Sequence, residues 1–384
     1  MRVHEVDALD ALAEHAEEWD RLALQAPEQN PMLSHSWVST FLELQLDEGS
    51  TWRCVFAYAG DLLIGVLPVV RTQGLLGTRL HGLRSDDTLS GYALLRASWG
   101  DRALSAMLAH LERVEPRYLW LRMRGVYAES TLLSAVPRAH VRGTRLRSRN
   151  LSLVPVRGDF ADYEAGLSGN FRRNLRKGLA RCERKHAPEF RFITGSDADS
   201  TDLFQRFVDI EAAGWKGAAG TALKCQPRVS AFYSTLVQKL ARRGWLEWHF
   251  LHLDRVPVAA HLAVRFGRSL VLPKIGFDET YSRLGPGNQL FRQMLMRAYA
   301  SDEIDTVNCL TDMGWHRNWN VAVHERFDVV LAPRRTLPMV ASKLQVELPD
   351  AAIRHAEATP WLAAPVRRAK VMWHASEPLR TGRR

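Results

Sequence analysis

The sequence predicts a two-domain α/β protein made of two copies of one helix-and-sheet unit. Three observations lead there. The chain has 384 residues and a 46% hydrophobic share, more than a single ordinary core requires. A hairpin pattern occurs twice, as "FAYAGDLLIGVLPVV" from Phe56 and "LHLDRVPVAAHLAV" from Leu251, each time ahead of a helix and a further strand. Apolar runs such as "DLLIGVLPVV" from Asp61 stop at charges, well short of the roughly 20 residues that cross a bilayer.

The elements follow in order. Residues 1 to about 45 read as helical, with Trp37, Phe41 and Leu44 at helical spacing behind the cap Ser34. "WRCVFAYAGDLLIGVLPVVRT" reads as a hairpin turning at Ala59-Gly60-Asp61. "LHGLRSDDTLSGYALL" is a strand or loop carrying the paired Asp86 and Asp87, and the helix "DRALSAMLAHLER" and strand "RYLWLRMR" follow it. Near residue 150 the pattern begins again with the strand "NLSLVPV", the basic helix "GNFRRNLRKGLARCERKH" and the strand "EFRFITG". Two helices lead into a hairpin turning at Leu253-Asp254-Arg255 and at Gly267-Arg268. The expected units are 1–150, 151–335 and a helical, basic tail 336–384.

The N-terminus has acidic residues at helical spacing and lacks the basic-then-apolar order of a secretion leader, so a cytoplasmic protein is expected. Cys54, Cys182, Cys225 and Cys309 are scattered, which suggests neither a zinc site nor a disulfide framework. The net charge of +10 favours an anionic partner: a phosphorylated cofactor, an anionic membrane surface or nucleic acid. Only 8 of the 52 basic residues are Lys. Where Arg is the default cation, a surviving Lys hints that an ammonium is wanted, which draws attention to Lys216 and Lys274.

The stretch "PKIGFDETYSRLGPGNQLFRQMLMRAY" from Pro273 runs from a strand through Gly285-Pro286-Gly287 into a helix. A helix N-terminus presents unpaired N–H groups and the positive end of its dipole. Gly285 and Gly287 let a phosphate approach, and Asn288 and Gln289 add donors. Dinucleotide and Walker fingerprints are absent, which argues against nicotinamide enzymes and P-loop hydrolases. The remaining strand, glycine loop and helix pattern resembles that of the GNAT acyltransferases, although Ser282 stands where their loop usually begins with Gln or Arg.

"IEAAGWKGAAGTAL" from Ile210, "PVAAHLAV" from Pro257, "PKIGFDETYSRLGPGNQL" from Pro273 and "LTDMGWHRNWN" from Leu310 resemble, in order and spacing, the CelD/BcsL family of GNAT-like acyltransferases. That family is related to the tandem Fem-type aminoacyltransferases. The resemblance implies two tandem GNAT-like units, each a mixed, mostly antiparallel sheet flanked by helices. It implies acyl transfer from acetyl-coenzyme A or a longer acyl-coenzyme A to an amine or hydroxyl, without a metal, in envelope or polysaccharide synthesis. Fem-like transfer from aminoacyl-tRNA and an inactive scaffold are the alternatives.

Acyl transfer needs a base for the acceptor and a donor that polarises the thioester carbonyl. Glu211, Lys274, Asp278 and Asp312 are the catalytic candidates. Trp215, Lys216, Tyr281 and Trp319 are those for substrate contact. Lys274 sits in an apolar strand end and needs a carboxylate, water or a ligand, with Glu211 and Asp312 as candidate carboxylates. His316 stands where relatives carry Lys. The cations from Arg172 to Lys185 have only Phe171 and Tyr163 as nearby aromatics, which argues against nucleic acid.

Overall fold

A computed structural model describes residues 1–74, 77–138, 142–195 and 197–351. The first part of the chain supplies strands β1 (Arg2–Val6), β2 (Thr51–Ala59), β3 (Leu62–Gly74), β4 (Gly77–His81), β5 (Leu94–Leu95), β6 (Tyr118–Tyr127) and β7 (Arg142–Arg147). The second supplies β8 (Leu151–Pro155), β9 (Pro188–Thr194), β10 (Leu246–Leu253), β11 (Val256–Phe266), β12 (Ser269–Phe277), β13 (Thr306–Asn308), β14 (Ala322–His324) and β15 (Arg326–Ala332). They form two mixed sheets, ordered β1-β2-β3-β4-β6-β15-β7, with β5 beside β3, and β14-β8-β13-β12-β11-β10-β9.

Each sheet has one parallel pair among the described residues, β4 with β6 and β12 with β13. A parallel neighbour needs a crossover. In both units a helix provides it, Gly100–Val114 in the first and Pro286–Tyr299 in the second. Two mixed, mostly antiparallel sheets flanked by helices are thus observed, as the family resemblance implied. Both hairpin turns fall where expected. Gly60 has φ +61° between β2 and β3, and Asp254 and Arg255 have φ of 50° and 70° between β10 and β11, the turn geometry that matches strand twist.

Two features depart from the expectation. Residues 2–6 are a strand, not a helix, because antiparallel pairing of Val3 with Ala57 and Val6 with Cys54 satisfies this backbone before the helices Leu9–Ala13 and Ala16–Gln25 begin. Strand β15, late in the chain, lies between β6 and β7 of the first sheet. The helix Thr336–Ser342 then packs on that sheet. Residues 352–384 of the expected tail lie outside the described residues.

The largest apolar cluster runs through both units. Helix His35–Leu44 meets helix Pro227–Arg242 with the rings of Trp37 and Phe232 edge to face at 5.9 Å.

Candidate active site

The site begins where β12 and β13 part. They pair only from Ser269–Thr306 to Val271–Asn308, and β12 continues to Phe277 with β11 on its other side. Pro273 lies just past the break and has no N–H to offer a ladder. β13 is followed instead by residues that join β8, with Cys309 N–H donating to Ser152 O and Ser152 N–H to Thr311 O. A wedge opens between Pro273–Phe277 and Asn308–Asp312, where no described strand pairs with that edge of β12. A free edge can take another extended chain.

At the far end of β12, Asp278 starts the loop. Its Oδ1 accepts from Thr280 N–H at 2.9 Å and from the Thr280 hydroxyl at 2.7 Å, so it caps the turn Glu279–Leu284. Gly285 has φ +65° and begins helix Pro286–Tyr299 with Pro286 in its first turn, a conformation that favours glycine. Pro286 has no N–H, and those of Gly287 and Asn288 have no acceptor within the helix, so the positive end of the helix faces the loop. Gln289 turns the other way. It is buried, and its amide donates to Leu175 O at 2.8 Å, tying this helix to Gly169–Lys185. Gly178 of that helix approaches so closely that a Cβ there would lie 2.6 Å from Gln289 Nε2.

The basic helix reads differently in three dimensions than along the chain. Phe171, Leu175, Gly178 and Cys182 form its buried stripe, while Arg173, Arg176, Lys177, Arg181, Arg184 and Lys185 are exposed. Arg181 donates to Arg283 O at 2.8 Å, which places this cationic face beside the glycine loop. Tyr281, half-buried, has its ring 6.1 Å from that of His186.

Under β12 lies a group of charges from three chain segments. Helix Asp197–Ala212 ends against Gly276, where a Cβ would be 3.1 Å from Glu211 Cα. Glu211 is sealed from solvent. Its Oε1 accepts from Lys216 Nζ at 2.7 Å and its Oε2 from Leu223 N–H at 2.9 Å. Lys216 also donates to Ile275 O at 3.0 Å, beyond the point where the strands part. Burial lowers the Lys216 pKa from the ordinary lysine value, with Glu211 pulling the other way.

Lys274 pairs with neither Glu211 nor Asp312. It pairs with Asp87 of the first unit, Nζ to Oδ1 at 2.7 Å, and sits 5.0 Å from the centre of the Tyr233 ring. Asp87 also hydrogen-bonds the Tyr233 hydroxyl, and burial with this neighbouring charge raises the phenol well above its usual range. The Asp87 loop is held by Ser85, whose Oγ accepts from Asp87 and Thr88 N–H, and by Thr88, whose Oγ1 accepts from Trp37 Nε1 at 2.9 Å. Neither Asp87 nor Tyr233 was singled out as a site residue from sequence; the doubled Asp86-Asp87 was the available signal.

The other candidates scatter. Trp215 is 56% exposed beside the end of β12, whereas Trp319 is fully buried against Phe171 and Phe291, so its indole is core and walls no open pocket. Asp312 is exposed after β13 and accepts from the Ser152 hydroxyl at 3.2 Å. His316 is buried beside it; its Nδ1 accepts from Met313 N–H, and burial lowers its pKa. No group of three or more His, Cys, Asp or Glu placed to hold a metal occurs among the described residues.

Residues 169–316 match the acetyltransferase (GNAT) domain. No curated protein sequence matches the chain. Among solved structures, FemX is similar with a TM-score of 0.59 and 11% identity over 85% of this chain and 97% of that one. A conserved protein of unknown function from Bacteroides thetaiotaomicron has a TM-score of 0.54 and 15% identity over 86% and 100%. The C-terminal domain of a putative lysylphosphatidylglycerol synthetase from Agrobacterium fabrum has a TM-score of 0.52 and 12% identity over 89% and 96%. These likenesses establish a common fold, and the span that matches the GNAT domain, 169–316, holds both the wedge and the glycine loop.

Proposed function

We propose that the protein transfers an acyl group from a coenzyme A thioester to an amine or hydroxyl, as the CelD/BcsL-like motifs imply, on a small molecule or an envelope or polysaccharide precursor. The observation that carries this reading is the joined wedge and loop. An extended thioester carrier can lie along the free edge of β12 while its pyrophosphate meets the N–H groups of Gly287 and Asn288. Asp278 and Asp312 are carboxylates that solvent reaches at the two ends of the wedge, and one of them takes the acceptor proton. The acceptor nitrogen or oxygen then bonds the carbonyl carbon, the carbon–sulfur bond breaks, and the thiolate leaves to be protonated. Glu211 holds Lys216, whose ammonium reaches the β12 edge at Ile275 O and polarises the carbonyl. Trp215 and Tyr281 line the acceptor side.

The test is calorimetric titration of acetyl-, longer acyl- and free coenzyme A, with Gly287→Trp as the blocked control. Micromolar binding lost in a folded control supports the reading, and no binding to any of the three overturns it. A second reading, transfer from aminoacyl-tRNA as in Fem-type enzymes, is favoured by the exposed basic face beside the loop. It requires tRNA binding that falls with salt and with Arg176→Glu/Arg184→Glu. An inactive scaffold binds neither donor.

A further inference from the structure

The last helix among the described residues carries an exposed apolar ridge. Helix Thr336–Ser342 continues through a wider turn, Lys343–Glu347. Its inner face is already used: Ala341 and Val346 pack on Leu119, Trp120, Leu146 and Val330 of the first sheet. Leu337, Val340, Leu344 and Leu348 stand on the outside, 59%, 48%, 58% and 50% exposed. Single exposed apolar residues are ordinary, but four in a row along one helix face form a patch.

Cations frame this ridge. Arg334, Arg335 and Lys343 are exposed beside it. Along its flank Arg79 donates to Gln345 Oε1 at 3.1 Å and Arg142 to Glu347 Oε2 at 3.1 Å. The sequence beyond, residues 352–384, has 7 Arg or Lys against 2 Asp or Glu, together with Trp361 and Trp373. No helix among the described residues is long and apolar enough to cross a membrane, so any lipid contact through this face lies along the surface.

We propose that this ridge docks the protein on an anionic lipid bilayer, with Leu337, Val340, Leu344 and Leu348 entering the interface and the surrounding cations meeting lipid phosphates. Charge decides between the possible occupants. A second copy meeting across a two-fold axis would bring the cations of both ridges together. The chain's own basic tail folded back would do the same. An anionic bilayer accepts the apolar ridge and the cations at once. The proposal is independent of the acyl donor.

The test is co-sedimentation of the full chain with vesicles of phosphatidylcholine alone or with about one-third phosphatidylglycerol, at low and high salt. The expected result is binding to anionic vesicles only, weakened by salt, and reduced at least about tenfold in Leu337→Glu/Leu344→Glu and in Arg334→Glu/Arg335→Glu. Both pairs are exposed, and an unchanged thermal melt confirms that the variants fold. Absence of binding by the wild-type chain overturns the proposal. Binding untouched by the ridge substitutions overturns it as well. If sedimentation velocity shows a dimer that Leu337→Glu/Leu344→Glu dissociates, without vesicle binding, a second copy covers the ridge. If vesicle binding appears only after removal of residues 352–384, the tail covers it.

Discussion

At Glu211 one carboxylate joins three pieces of chain: the end of a helix, the ammonium of Lys216 and the N–H of Leu223. Replacing it by Gln removes the charge opposite that largely buried ammonium and leaves one side-chain oxygen for two donors, Lys216 Nζ and Leu223 N–H, and breaking such a pair costs about 3 kcal/mol. The sign with pH follows from Lys216. Its folded-state pKa lies below the ordinary 10.5 because burial disfavours the charge, and removing Glu211 lowers it further. Between that lowered value and 10.5 the unfolded chain binds more protons, so stability rises with pH. Glu211→Gln should lose about 3 kcal/mol at pH 7 and recover part of it near pH 9 in urea melts. An equal loss at both values would show that Lys216 is not the group left stranded. The interest of Glu211 was legible in sequence, as that of a candidate catalytic carboxylate. Its sealing was not, because burial depends on Gly276 of a strand far along the chain.

Helices here are held at their ends by groups from elsewhere. Asp20 Oδ1 on helix Ala16–Gln25 accepts the His35 N–H at 2.9 Å, at the start of helix His35–Leu44. Burial raises the Asp20 pKa to about 6 and lowers that of His35 to about 4. The two act in opposite directions. For Asp20 the folded protein binds the extra proton, so stability is gained as pH falls from about 6 toward 3.8. For His35 the unfolded chain binds it, so stability is lost as pH falls from 6.5 toward about 4. Asp20→Asn removes the first and leaves the second, and should make the protein lose up to about 3 kcal/mol more than wild type between pH 6.5 and 4. Guanidinium melts across that range check it, and parallel curves for the two proteins would refute it. Helix Gly169–Lys185 makes the same point through packing. In Gly178→Ala the new methyl meets Gln289 and Leu284 O at 2.6 and 2.9 Å, which should cost ~1–3 kcal/mol by overpacking. Because the strain falls on the glycine loop, the coenzyme A binding proposed for that loop should weaken beyond the change in melting temperature, as calorimetry on the folded variant would read.

Across the whole molecule, the Asp87–Lys274 pair ties the first unit to the free edge of the second. A double-mutant cycle with Asp87→Asn, Lys274→Met and the pair should give losses of about 3 kcal/mol for each single change and a coupling of at least about 1 kcal/mol. Additive losses in urea melts would mean that the two groups stabilise the protein separately. The aim of this contact is set by the clamp on the Asp87 loop, in which Trp37 donates to Thr88 while its ring packs on Phe232 of the other unit. Docking of the units and positioning of the charge group therefore share Trp37.

The sequence by itself determined the doubled unit, both hairpin turns, the strand-loop-helix with Gly285 at its turn, and the interest of Lys216 and Lys274. Each rests on local chemistry: turns that need positive φ, apolar spacing along one element, and a cation whose type is out of keeping with its chain. Only the tertiary structure decided that Lys274 answers to Asp87, that Gln289 donates to Leu175 instead of the loop, that Trp319 is core, and that β15 crosses back into the first sheet. Those outcomes depend on which elements meet. Pairing between distant segments is settled by burial and by satisfying polar groups across the whole fold, and no window of sequence contains both partners.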